Sequence, residues 1–150
     1  MPLRSAALTV ICAAVLAACG GGGDSGRLTA DEYRSQGNAA CQRYEQAVKK
    51  LAQPSSLQDV SAYADDAREE LASLVDQLEA LDPPQDLQDR HDQLIALGRQ
   101  SEDALGDLAE AGDSQSKTQM TKALAAAANL DQRSDTLARD LGLNRCADQS

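Results

Sequence analysis

Residues 57–81 read LQDVSAYADDAREELASLVDQLEAL, and the spacing of their apolar side chains decides the fold. Leu57, Val60, Ala64, Ala67, Leu71, Leu74, Leu78 and Leu81 succeed one another at steps of three or four. That period draws a single seam down one face of an α-helix, where a strand would scatter the same residues over two faces. Asp82-Pro83-Pro84 closes the segment, because the residue before a proline avoids the helical region and proline has no amide hydrogen to donate.

The same rhythm recurs on both sides. Downstream, Leu87, His91, Leu94, Gly98, Ser101, Leu105 and Leu108 form a second seam, widened by Ile95 and Leu97. Ala111-Gly112-Asp113-Ser114 reads as a stop followed by new cap candidates. Met120, Leu124, Ala127, Leu130, Ser134, Leu137 and Leu141 then mark another helix. Gly142 stands where a left-handed residue ends a helix, and Leu143 supplies the apolar contact of that motif. Upstream, Thr29-Ala30-Asp31-Glu32 is a capping box that opens a helix with the seam Tyr33, Gly37, Ala40, Tyr44, Ala47 and Leu51. Gln53-Pro54-Ser55-Ser56 interrupts it, and either serine suits the cap of the next helix.

Four amphipathic helices joined by short breaks bury their seams most simply as an all-α, antiparallel up-down four-helix bundle over residues 28–150. A three-helix bundle with the first helix loosely attached and an extended coiled coil are the alternatives. Breaks at Pro54, Pro83-Pro84 and Gly112 recur at hairpin intervals, which favours the compact bundle. An Ala-rich core of this kind lets helices approach closely but buries little area, so its stability needs help from elsewhere.

Residues 1–18 carry a different message. One positive charge at Arg4 precedes an apolar run through Ala18, and no further charge occurs before Asp24. The run is shorter than the ~20 residues a membrane-spanning helix needs, and it suits a lipoprotein signal peptide. Leu16-Ala17-Ala18-Cys19 looks like a bacterial lipobox, which makes Cys19 the lipidation site and the first residue of the mature chain. An ordinary secretory cleavage and a retained signal anchor are the competing readings. Cys12 follows the bulky Ile11 and too short an apolar run. Two or three acyl chains hold a protein stably at a membrane where one does not. Residues 19–27 then form the lipidated cysteine and a Gly-rich tether, a flexible leash reaching roughly 15 Å.

Composition excludes several partners. The chain of 150 residues has a formal charge of −10, with no basic run longer than Lys49-Lys50. Nucleic acid demands basic patches, so no nucleic-acid partner is expected. Adhesion to anionic lipid by charge is disfavoured too, which leaves the membrane contact to the lipid on Cys19. Trp and Phe are absent and the aromatic residues are Tyr33, Tyr44 and Tyr63. Small-molecule pockets are usually rich in aromatic side chains, so this lowers the expectation of one.

With Cys12 and Cys19 assigned, Cys41 and Cys146 remain. Outside the cytoplasm such a pair is most often a disulfide; free or intermolecular thiols and a metal site stay open. A bridge over so long a loop stabilises by about 4–5 kcal/mol in the chain-entropy model. Cys41 lies roughly 15 Å inside the first helix, and the tail from Leu141 to Cys146 reaches at most ~17 Å. The bridge therefore requires the tail to double back after Gly142.

Catalytic and cofactor patterns fail on inspection. His91 is the single histidine, too few for a zinc site beside two cysteines. A di-iron bundle needs Glu-x-x-His, and Gln88 stands three residues before His91. His91 and Met120 fall roughly 20 Å apart in an antiparallel pair, too far to share a haem iron. Asp65-Asp66, Glu69-Glu70 and Asp82, Asp86, Asp89, Asp92 read as solvated faces, with weak cation binding the alternative. His91 on the seam reads as a buried polar residue bonded to a neighbour, with pH sensing the alternative. No catalytic, metal or cofactor residue is assigned.

The order of lipobox, glycine tract, inner cysteine, LEALDPPQDLQDRHDQLIAL and terminal LGLNRCA resembles a group of small actinobacterial lipoproteins over essentially the whole chain. That resemblance implies architecture and location, with no activity attached. The expected protein is a non-enzymatic, lipid-anchored bundle on the extracytoplasmic face of the cell membrane, acting on a protein partner or as an envelope element. The alternative is a sensory bundle that binds a small ligand or cation between its helices. Small seam residues at one level would mark such a site. Gly98 and Ser101 are expected near mid-bundle, whereas Gly37 and Ser134 are expected toward the membrane-side end, which favours ordinary packing slack.

Overall fold

The structure is a computed structural model, and it describes residues 26–147. The lipobox, Cys19 and most of the tether lie outside the described residues, as do the last three residues of the domain. The described fold is all-α: α1 (Ala30–Val48), α2 (Leu57–Glu79), α3 (Gln88–Asp113), α4 (Lys117–Leu141) and a short α5 (Asn144–Ala147). Four long helices pack as a bundle, and α5 is an addition to the four-helix reading.

Local chemistry sets most helix ends. At α1 the Thr29 hydroxyl accepts the Glu32 amide at 3.3 Å while the Glu32 carboxylate accepts the Thr29 amide at 2.9 Å. Ser56 and Asp59 repeat the arrangement at α2, and Ser55 donates to the same carboxylate. These hydrogen bonds hold the exposed Glu32 and Asp59 carboxyls below their ordinary range. Gly142 ends α4 with φ +78°, and the Leu143 amide donates to the Ala138 carbonyl at 2.8 Å.

Gly112 behaves differently from the expected stop. The helix runs through it to Asp113, and the left-handed residue of the turn is Gln115, φ 52°. A Cβ on Gly112 would lie 2.7 Å from the Ser61 backbone nitrogen. The glycine is therefore a close-approach point between α2 and α3. Gly98 repeats the contact against Val75. The two contacts step in opposite senses along the two helices, so α2 and α3 run antiparallel.

Packing divides the core into two patches. Around one end gather Tyr33, Cys41, Leu74, Leu78, Leu94, Leu141 and Leu143. Around the other gather Ala64, Leu108, Ala109 and Ala123, with Val60, Leu105 and Met120 against them. α2, α3 and α4 pack in succession, whereas the close partners of α1 are α2 and α5. This departs from a four-square bundle. Consequently α4 buries Ala123, Ala138 and Leu141, and Leu124, on its expected seam, remains 51% exposed.

Candidate functional site: an apolar cleft between α1 and α4

Where α1 and α4 part, an elongated cleft of about 520 Å³ opens onto a floor made by α2 and α3. That volume lies within the ~300–1,000 Å³ of small-molecule sites. The floor is Leu71, Leu74, Val75 and Leu78 of α2 with Leu94, Ile95, Gly98, Ser101 and Leu105 of α3. Leu124, Ala127, Ala128, Ser134 and Ala138 of α4 make one wall, and Tyr44 and Val48 of α1 the other. Cys146 stands among the lining residues.

Small side chains create the space. Gly98 lowers the floor against Val75, and α4 presents alanine or serine where larger groups would fill the gap. The expected placing of these residues needs correction in one respect. Ser134 lines the same cleft as Gly98 and Ser101, because α4 is held at a distance from α1 by the tail. Gly37 is elsewhere, its face covered by the Leu143 side chain.

The polar groups of the cleft are few. Glu45 is bonded to Lys49, which holds its carboxyl below the ordinary range. Asp135 is paired with Arg139 at 3.5 Å. Asp131, on the same face of α4, makes no salt bridge among the described residues; partial burial, then the neighbouring Asp135, pushes its carboxyl up. Tyr44 is pushed up to about 12, first by burial and then by Tyr63, Asp131 and Glu70. The Asp131 charge thus helps to keep Tyr44 protonated.

A latch fixes the cleft at one end. After Gly142 the tail doubles back, as the bridge requires, and Cys146 joins Cys41 in a disulfide with Cα atoms 5.1 Å apart. Asn38 reinforces it, donating to the Gly142 carbonyl at 3.1 Å and accepting the Arg145 amide at 2.8 Å. Arg139 reaches the Ala147 carbonyl at 3.3 Å. The tail thus sits as a spacer between the first half of α1 and the end of α4.

His91 occupies a separate place. It is 3% exposed, and its Nδ1 lies 3.1 Å from the hydroxyl of Tyr33, which is 0% exposed. Their rings meet edge-on at 5.7 Å. Burial pulls His91 below its ordinary value, partly offset by Asp92 and Glu79, and pushes Tyr33 up to about 12. A neutral imidazole whose Nδ1 accepts a hydrogen bond from the Tyr33 hydroxyl fits these shifts. The sequence pattern carries no local signal that Tyr33 is its partner, although both residues stand on seams near the starts of α1 and α3. Met120 packs on the other core patch.

Asp65, Asp66 and Glu69 are exposed. Among the described residues no group of three or more His, Cys, Asp or Glu side chains could hold a metal ion. No described helix is long and apolar enough to cross a membrane. Arg27, assigned to the tether, donates to the Pro83 carbonyl and to Gln88, each at 2.7 Å, so it packs with the helical domain. Neither a protein family, nor a curated protein, nor a solved structure matches this chain.

Proposed function

We propose that the chain is a lipid-anchored, extracytoplasmic helical bundle that carries out no catalytic step and holds an elongated apolar molecule in the cleft between α1 and α4. The observation that carries the ligand reading is the cleft itself, about 520 Å³ with mostly aliphatic walls. A bundle that needed only to fold would gain by closing it, since each buried CH₂ stabilises by about 0.8 kcal/mol. The anchor rests on the lipobox sequence at Cys19, and the resemblance to small lipoproteins supports the same location.

Two experiments test the two halves of this reading. Cys19→Ser should move the protein out of the membrane fraction or stop its maturation; an unchanged membrane fraction refutes lipidation. Dodecanol should perturb the methyl resonances of Leu71, Leu105 and Leu124 in the full chain, and Ala127→Phe should abolish that response. Absence of any response refutes the ligand site.

A protein partner is the second reading, favoured by the half-exposed Leu124 beside the cleft. Disulfide trapping through a cysteine at position 124 distinguishes the two.

A further inference from the structure

The shape and charge of the cleft narrow what it accepts. Along α3 its lining runs from Leu94 to Leu105, and along α4 from Leu124 to Ala138. At 1.5 Å per residue these spans are about 16 and 21 Å. An extended alkyl chain with C–C bonds near 1.5 Å advances about 1.25 Å per carbon, so about 13–17 carbons fill that length. The lining offers one aromatic ring, Tyr44, so a flat aromatic ligand would find little to stack on.

Charge selects the head group. Glu45 and Asp135 already have cationic partners in Lys49 and Arg139. Asp131 lines the cleft without one among the described residues, opposite Tyr44, in a chain of formal charge −10. A carboxylate or phosphate head would meet repulsion there, and a cation would meet the uncompensated acid. We propose that the occupant is a single-chain aliphatic amphiphile with a positively charged amine or ammonium head, its chain along the α2–α3 floor and its head at Asp131. This rests on the cleft being a binding site at all.

Dodecyltrimethylammonium, dodecanol and dodecanoate separate the two claims. Each is titrated below its micellar concentration into the full chain carrying Cys19→Ser, with tyrosine fluorescence as the readout. The ammonium compound should bind roughly two- to fivefold more tightly than dodecanoate, with dodecanol between, as for a solvent-accessible charge contact. Added salt should narrow the gap, and Asp131→Asn should bring the ammonium compound to the level of dodecanol. Equal binding of all three, or a preference untouched by Asp131→Asn, overturns the head-group assignment while the ligand site stands. Failure of all three to bind overturns both.

Discussion

Reduction of the Cys41–Cys146 bridge should lower stability by several kcal/mol without dismantling the folded state. The two residues are 105 apart in sequence, so the bond closes most of the described chain into one loop. Cross-linking a loop of this size removes denatured-state entropy equivalent to about 4.7 kcal/mol at 25 °C. For a domain of this length each kcal/mol shifts Tm by roughly 3–4 °C, which puts the expected loss at about 12–20 °C. Below the transition the reduced protein should keep its helix content, because Leu143 on Gly37 and both Asn38 hydrogen bonds do not depend on the sulfur bond. The assay is thermal unfolding followed by circular dichroism with and without reductant, with mass spectrometry verifying the gain of two hydrogens. Cys41→Ser with Cys146→Ser should reproduce the reduced melt and ignore reductant. A verified reduction that moves Tm by less than about 3 °C refutes the reasoning, since the loop constraint would then contribute almost nothing.

Gly112→Ala should destabilise by about 1–2 kcal/mol, because overpacking against the Ser61 backbone outweighs the gain in helix propensity. Gly106→Ala, whose Cβ would meet only the Arg68 side chain at 3.6 Å, should stabilise by up to about 1 kcal/mol, and denaturant titration compares the two. The His91 contribution is fully present above its unfolded value of 6.5 and is lost as pH falls through the interval down to the lowered folded value. The unfolded chain takes up a proton that the buried ring refuses, so His91→Gln should flatten the stability profile just below pH 6.5. Ala128→Leu should fill the cleft, raising stability by about 1 kcal/mol while abolishing alkyl binding, and a melt with a binding titration on one sample checks both.

Features set by neighbours in the chain were legible from the residues, and those set by distant backbone were less so. Thr29 with Glu32, Ser56, and Gly142 with Leu143 act within a turn or two, so their motifs carry their structure. The seam of α2 was equally plain, since Ala64, Ala67, Leu74 and Leu78 of it are buried in the helix that forms. Gly112 shows the limit. A glycine near a helix end has two uses, a stop or a close approach, and only the backbone of Ser61 decides between them. His91 was readable as a buried polar residue because its position lies on a seam, yet its bond to Tyr33 depends on how α1 is placed over α3. The cleft was the hardest feature. Four equal seams imply a closed core, and no local signal says that the tail will stand between α1 and α4.

That tail joins stability and the candidate site in one device. A 25-residue helix such as α4, which buries Ala123, Ala138 and Leu141 and presents alanine and serine elsewhere, gains little from its own packing. Its position relative to α1 is set at the far end, where Gly142 reverses the chain, Leu143 covers Gly37 and Cys146 reaches Cys41. These contacts act as a spacer as much as a clamp, because the turn of α5 occupies the room in which α1 and α4 would otherwise meet. Moving away from that end, α1 stops at Val48 while α4 and α3 continue past it, and the apolar lining of α4 loses its cover. The small residues that make the bundle weak are therefore the ones that keep the cleft open, and a long-range covalent bond compensates at a point where it does not fill the space.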